Sequence, residues 1–600
     1  MSSATVRARL EELLKKRFFF QPSFSIYGGV AGLYDYGPPG CALQANLLSL
    51  WRSHFIIEEQ MLEVDTSIMT LHDVLKTSGH VDRFTDYMVR DAKNGDFFRA
   101  DHLLEAALEK KVADAATPEH LREEYKALLA QIDGLDGDQL QQHIHSLDLK
   151  SDSGNDLTEV VRFNLMFGTE IGPTGYLKGF LRPETAQGIF TNFKRLLECN
   201  NEKMPFAAAQ IGKSFRNEIS PRSGLLRVRE FTMAEIEHFV DPQDKSHPRF
   251  EEVKDMLLNF LPKRIQESGS SEFVRVSVGE AVSSGMVNNE TLGYFLARTA
   301  AFLHRIGIKA DKLRFRQHLA NEMAHYASDC WDAEILSSYG WIECVGCADR
   351  SCYDLTMHAK ATGEKLVARE RLPEPITQTV QRLDINKREL GQVYKSDSKE
   401  IVEILEKTHN FNGSVTLKDG RKIVLAPEMA QVKQVQETMH VREYVPAVIE
   451  PSFGIGRILY SLLEHVFYVR EGGDEQRAVL ALPACVAPTK CLLTPLSSGD
   501  PLLKEIILSI TKSLRRSDIS FLVDESSTSI GKRYSRNDEV GVPFAVTVDF
   551  ESPKDEKVTL RERDSTQQVR MPYKEVARCI HDLVQGHQTW DEVVKVYGLI

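Results

Sequence analysis

A chain of 600 residues exceeds what one hydrophobic core usually serves, so two or more domains are expected. Its 42% hydrophobic and 27% charged residues are ordinary for a globular protein, and no uncharged apolar run approaches the roughly 20 residues that span a bilayer. The net charge of −12 argues at first against a nucleic-acid partner, but residues 477–600 hold 17 basic and 17 acidic side chains, so the acidic excess lies before them. Composition therefore neither supports nor excludes RNA binding.

In chain order, Ser2 to Arg17 reads as a charged amphipathic helix without a signal-peptide core, with a targeting peptide as the alternative. Tyr36-Gly37-Pro38-Pro39-Gly40 is a stop-and-start signal before a helix predicted over Ala42 to Met61, where Leu43, Leu47, Leu50 and His54/Phe55 recur at helix spacing. That helix reads as a core element or as an interface helix, which also buries one face. His72 and His80 are expected to be hydrogen-bonded structural residues.

Ala100 to Leu149 is charged, Gln-rich and helix-favouring, and looks like an insertion. Two β-rich runs, Phe206 to Phe215 and Arg227 to Phe239, flank Ser220-Pro221-Arg222-Ser223-Gly224 and predict antiparallel strands joined by a long basic loop. Asp241 to Arg305 reads as mostly helical. Cys344, Cys347 and Cys352, with Cys330 or His358, invite a zinc reading. Only one C-x2-C pair is present, however, and Trp341 to Val345 also reads as a buried strand, so no zinc is expected. Gly363 to Tyr444 reads as a further insertion with β-like runs at Ser414 to Leu417 and Lys422 to Leu425.

Glu471 to Glu475 is a polar junction. Beyond it, strands at Ala478 to Leu482, Ser520 to Val523 and Pro543 to Asp549 alternate with helices at Pro501 to Arg515 and Ser529 to Asp538, arguing for a small α/β domain. The nine cysteines lack framework spacing, which suits a reducing compartment. Neither a G-x-x-x-x-G-K-[ST] loop nor a G-x-S-x-G elbow is present.

The most telling stretch is Phe215-Arg216-Asn217-Glu218, followed by Leu226-Arg227-Val228-Arg229-Glu230-Phe231. An arginine at a strand end, a glutamate two residues on and a basic loop beyond suit a nucleotide: the guanidinium forks onto a phosphate and the carboxylate accepts from adenine's amino group. This resembles motif 2 of class II aminoacyl-tRNA synthetases. The helix after Pro38-Pro39 resembles motif 1, and Glu450-Pro451-Ser452-Phe453-Gly454-Ile455-Gly456-Arg457 resembles motif 3. Tyr34 to Pro38, Arg182-Pro183-Glu184-Thr185-Ala186-Gln187-Gly188 and Gly346-Cys347-Ala348-Asp349-Arg350 are similar to the eukaryotic, homodimeric glycyl-tRNA synthetases. Ile530 to Tyr534 with Asp538 to Phe544 resembles the anticodon-binding domain that glycyl, threonyl, prolyl and histidyl enzymes share.

The resemblance implies an α+β catalytic domain over 1–475, with an antiparallel class II sheet flanked by helices and insertions near 90–160, 245–310 and 363–444. It also implies an α/β anticodon-binding domain with a mixed sheet over 476–600. The implied partners are ATP with Mg2+, glycine and tRNA(Gly), and a second copy through the motif 1 region, with no membrane. The implied reaction joins glycine to tRNA through glycyl-adenylate, with diadenosine tetraphosphate as a side product. The implied location is cytoplasmic, with a mitochondrial isoform open. Rival readings are another class II synthetase and a non-catalytic synthetase-like accessory protein.

By the same resemblance, Arg216 and Arg457 are catalytic, gripping the α- and γ-phosphates. Asn217, Glu218, Arg227 and Val228 contact the nucleotide. Glu334 bridges through Mg2+, with Ile335 as a backbone or packing contact to ATP. Glu184, Glu235, Glu450, Pro451 and Ser452 form the glycine niche, and Arg350 assists the substrate carboxylate. Lys532, Arg533 and Arg536 contact tRNA.

Overall fold

Alternating side chains along the two β-rich runs build the middle of a nine-stranded sheet. Its strands are β1 (Leu62–Glu63), β2 (Phe206–Phe215), β3 (Glu230–Val240), β4 (Leu257–Leu261), β5 (Val274–Ser277), β6 (Leu313–Gln317), β7 (Asp329–Ser337), β8 (Gly340–Ser351) and β9 (Ala447–Gly454). They lie in the order β5-β4-β6-β7-β8-β9-β3-β2-β1, antiparallel except where β1 meets β2 and β4 meets β6. The computed structural model describes residues 3–129, 131–173, 175–221, 223–407, 411, 413–470 and 477–600. It divides into one unit of Met1–Leu366 with Val445–Ile600 and a second of Val367–Tyr444.

One face of the sheet is apolar and carries helices α1 (Ser3–Lys16), α2 (Pro38–Trp51), α3 (Glu290–Arg305) and α4 (Ile455–Val466). Leu10, Leu13 and Leu14 dock α1 in this core. The two prolines open α2 at its first turn, where a missing N–H costs nothing. The flanking glycines are required by a crossing turn: a Cβ on Gly37 or Gly40 would stand 1.9 Å from the carbonyl oxygen of Phe18 or Phe19. Beyond Trp51 the helix continues as a π-helical segment, Arg52–Ile57, which swings Phe55 inward. Trp51 and Phe55 lie 5.7 and 5.1 Å, centroid to centroid, from Phe453 of β9. Each such buried ring stabilises the fold by about 1.5–3 kcal/mol.

The stretch read as mostly helical, 241–305, contributes β4 and β5 as well as α3. Residues 245–310 are thus woven into the sheet, not appended to it. Their strands are short and lack clean alternation, so only α3, buried from Thr291 to Leu303, was legible. Helices Ala100–Ala113, Glu119–Leu129 and Gly137–Ser146 do form a separate small core, where Leu104, Leu108, Leu140 and Ile144 meet Val89 and Phe98.

The second unit is a long antiparallel ribbon, Ala368–Ile385 with Ala430–Tyr444, carrying two helices and the hairpin Ser414–Thr416/Lys422–Val424. Its pairing slips between Arg371 and Ile376, where prolines 373 and 375 lack the N–H a ladder needs.

The C-terminal sheet is mixed: β10 (Cys491–Pro495), β11 (Phe521–Val523), β12 (Phe544–Val548), β13 (Lys557–Glu562) and β14 (Gln568–Pro572) lie in the order β11-β10-β12-β13-β14, parallel for the first three. The strand expected at 478–482 is not part of it. Arg477–Leu480 pairs with Phe467–Arg470 just after α4 and buries Leu480 in the main core. The junction read over Glu471 to Glu475 lies outside the described residues. No helix among the described residues is long and apolar enough to cross a membrane.

Candidate active site

The polar face of the central strands forms a cavity of about 220 Å3, which meets a second of about 510 Å3. Strand alternation sorts the residues: Phe231, Met233 and Glu235 of β3 and Glu450 and Ser452 of β9 face the first cavity, while Phe453 points into the core. Pro451, between the last two, is buried away from the cavity, so its expected contact with the small substrate is not seen.

At one end three carboxylates converge. Glu235 accepts from the Thr185 N–H at 2.7 Å, from the Thr185 hydroxyl and from the Ser452 hydroxyl at 2.6 Å. Glu184 meets His80 Nε2 at 3.1 Å and the Gln187 amide at 3.1 Å. Glu450 accepts from Arg350 at 2.6 Å. The segment carrying Glu184 is held against β2 by Arg182, which donates to the Lys213 and Thr66 carbonyls.

Burial opposes ionisation throughout, but the neighbours differ. Burial would raise Glu184, yet His80 and Arg350 outweigh it and hold Glu184 below the usual carboxylate range. Burial and then the Glu184 charge push Glu235 up. Burial pushes Glu450 up to about 8 despite Arg350, with Glu235 and Glu184 adding to the rise. Glu237, two residues beyond Glu235 on the same face, is fully buried with both carboxylate oxygens unpartnered, and burial drives it well above the usual range. The niche thus holds more carboxyl groups than cations, and a bound ammonium would relieve it.

Arg350 does not line either cavity, contrary to its expected role. Its guanidinium is consumed by Asp354 at 2.8 and 3.0 Å and by Glu450, and it lies 3.8 Å from the Tyr326 ring centroid. It positions the Asp354 and Glu450 carboxylates and stands 3.8 Å from Glu184.

The other end of the first cavity carries Arg216, Glu218, Arg227, Val228 and Arg457. Arg216 stands at the end of β2 between the Phe84 and Phe231 rings, 5.2 and 5.5 Å from their centroids, and donates to Pro183 O at a long 3.4 Å. Among the described residues no ion pair joins it to Glu218, so its charge is available to a ligand. Glu218 Oε2 is buried without a hydrogen-bond partner, an acceptor waiting for a donor. Arg227 is steadied by His102 at 2.8 Å. Asn217 lines neither cavity; its N–H donates to Leu165 O. Arg457, in the first turn of α4, donates to Leu226 O, to Glu343 O and to the Glu343 carboxylate.

Two acidic residues compete for a cation-bridging role. Glu334 is clamped by Arg314 at 2.7 Å and Arg316 at 3.1 Å, whereas Glu343 lines both cavities with its side chain 55% exposed. Glu343, which sequence reading missed, is the better placed. Ile335 is fully buried in the core on the opposite face and packs against no cavity. One further residue went unread, Glu237, signalled only by its spacing from Glu235; His80 is hydrogen-bonded to Ser78 and Glu184, as expected of a structural histidine.

In the C-terminal domain Arg533 is buried and donates to Thr528 O, Thr494 Oγ1 and Pro495 O, which makes it structural. Arg536 is paired with Asp524 and Ser526. Lys532 stays exposed. All nine cysteines are unpaired.

Comparison with known proteins identifies two domains along the chain. Residues 175–466 match the family model "tRNA synthetase class II core domain (G, H, P, S and T)" and residues 490–583 match "Anticodon binding domain". The chain is 52% identical to Glycine--tRNA ligase 1, mitochondrial, of Saccharomyces cerevisiae, over 98% of this chain and 92% of that one. It is 48% identical to the putative glycine--tRNA ligase of Schizosaccharomyces pombe over 100% and 98%, and 41% identical to that of Methanocaldococcus jannaschii over 95% and 97%. Among solved structures, Giardia lamblia prolyl-tRNA synthetase in complex with prolyl-adenylate is similar in fold, with a TM-score of 0.50 at 11% identity over 98% of this chain and 80% of that one.

Proposed function

The chain belongs to the glycine–tRNA ligase family of class II aminoacyl-tRNA synthetases, and from that membership we infer how its residues divide the work. The protein activates glycine with ATP as glycyl-adenylate and transfers it to the 3′ end of tRNA. The rival readings, another class II synthetase or a non-catalytic relative, gain no support from the relatives.

The observation that carries the division is the charge asymmetry of the first cavity. Its acid end, Glu184, Glu235 and Glu450, suits the glycine ammonium; its arginine end suits ATP. Arg216, at the arginine end, would hold the substrate carboxylate against the α-phosphate, the near-attack geometry that replaces acid–base help. A carboxylate oxygen attacks the α-phosphorus and pyrophosphate leaves; the terminal ribose hydroxyl then attacks the adenylate carbonyl and AMP leaves. Glu218 accepts from adenine's amino group, Arg227 and Val228 flank the nucleotide, and Arg457 meets the γ-phosphate. Mg2+ would be held by Glu343, whose carboxylate is partly exposed, and would offset phosphate charge.

Two assembly readings accompany this. Phe24, Ile26 and Tyr27, exposed by 57, 91 and 85%, support burial against a second copy, which sedimentation of the purified protein would test. The unpaired cysteines support a reducing compartment, and cell fractionation would decide between cytoplasm and mitochondrion. The function itself is tested by pyrophosphate exchange with each amino acid in turn: glycine alone should stimulate it, and stimulation by threonine or proline instead would overturn the reading.

A further inference from the structure

Three side chains given no part in the scheme above converge on one wall of the first cavity. Cys330 and Asp332 alternate along β7, so both face the cavity, and His318 directly follows β6, the strand paired with β7. His318 Nε2 lies 2.8 Å from Asp332 Oδ2 and 3.7 Å from Cys330 Sγ, and one ligand atom from each residue lies within 4.8 Å of the other two. Cys330 and Asp332 are buried. The main chain locks the trio: His318 N–H donates to Cys330 O at 2.9 Å. Arg316, 3.6 Å from the same Asp332 oxygen, helps orient it. His318 Nδ1 has no hydrogen-bond partner, so only the Nε2 side ties the ring.

We propose that His318, Cys330 and Asp332 form a binding site for one zinc-class divalent cation, three protein ligands with a fourth position open to the cavity. A thiolate, an imidazole and a carboxylate suit a borderline-soft ion; Mg2+ prefers oxygen ligands, so this is not the place of the nucleotide's ion. Metal–ligand bonds of about 2.0–2.3 Å in a tetrahedron put ligand atoms roughly 3.3–3.7 Å apart. The sulfur–nitrogen spacing already fits, and the nitrogen–oxygen spacing must open by less than about 1 Å, within reach of a side-chain torsion. On binding, the Cys330 thiol proton and the proton shared by His318 and Asp332 pass to solvent as metal bonds replace them, with no change of oxidation state. His318 and Asp332 also line the second cavity, where Arg457 and Glu343 stand, so a bound ion would obstruct the nucleotide. The site is inhibitory; that role rests on the nucleotide lying beside Arg457 and Glu343 as proposed above, whereas metal binding itself is read without it.

Cobalt is the probe. One equivalent added to the metal-free full-length protein should give thiolate-to-cobalt charge-transfer absorption that saturates at that equivalent and is displaced by Zn2+. Cys330→Ser should abolish the band, Asp332→Asn should weaken cobalt affinity at least about tenfold, and Cys41→Ser with Cys199→Ser, at exposed thiols, should leave the band unchanged. Absence of the band, its survival in Cys330→Ser, or its loss with the exposed thiols would overturn the site. If Cys330→Ser does not fold, Asp332→Asn and His318→Gln carry the same titration, and unaltered cobalt affinity in both overturns it. Zinc should inhibit pyrophosphate exchange, and Asp332→Asn, measured against its own uninhibited rate, should need about tenfold more; equal sensitivity would overturn the inhibitory role.

Discussion

Glu334 and Glu343 are cross-strand partners on β7 and β8 and both line the second cavity, yet they take different cations: Arg314 and Arg316 close on Glu334, and Arg457 meets Glu343. A β-bulge between Ala333 and Glu334 shifts the register just there. Glu343→Gln should therefore raise the Mg2+ concentration needed for half-maximal pyrophosphate exchange. Glu334→Gln should leave that dependence in place and cost about 3 kcal/mol of stability by taking the carboxylate from the buried Arg314, while Arg316 keeps Glu322 and Asp332. Exchange across a Mg2+ series and thermal melts separate the two; the reverse pattern would return the bridging role to Glu334.

Arg216 makes one long backbone contact and two ring contacts, so little of the fold rests on it. Arg216→Ala should lower exchange by roughly 10²–10³-fold, the usual cost of losing a group aimed at developing charge, with an unchanged melting temperature. Near-normal exchange would remove it from the catalytic set.

Glu235 accepts three hydrogen bonds inside the acid end of the cavity. Glu235→Ala should cost about 3 kcal/mol of glycine binding, roughly a hundredfold in KM, and leave the KM for ATP nearly unchanged. Equal loss for both substrates would mean that Glu235 only braces Thr185 and Ser452.

The pH dependence follows from Glu450. Its carboxyl, raised by burial from 4.5 to about 8, keeps a proton in the folded state that the unfolded chain has released. The folded state thus binds more protons across that window, so stability falls as pH rises from 4.5 to about 8 and levels off above it. A glycine ammonium favours the ionised form, so glycine should raise the melting temperature more at about pH 8 than at about pH 6. Glu450→Gln should flatten both trends; unchanged trends would assign the titration to another group.

Arg533 and Lys532 are neighbours with opposite fates. Arg533→Ala should destabilise the C-terminal domain by about 2–4 kcal/mol through the lost hydrogen bonds to Thr528 O, Thr494 Oγ1, Pro495 O and Asp524 O. Lys532→Ala should spare stability and weaken tRNA binding modestly, with a shallower salt dependence. Filter binding across a salt series reads the second effect, and unchanged binding would remove Lys532 from the RNA surface.

Local chemistry was enough to read the β2/β3 hairpin and the proline-started α2, because strand alternation, helix starts and turn residues are short-range rules; the α4 arginine and the three niche glutamates came through the resemblance. Those rules predicted which residues share a face and, through the resemblance, what the face is for. Partners distant in the chain were settled only by the fold. Arg350 is spent on Asp354 and Glu450, Arg533 is sunk among carbonyls, Glu334 is locked by β6, and Ile335 turns to the core. Whether a charged side chain is free to meet a ligand depends on what packs against it from other strands and helices, and no window of sequence contains that information.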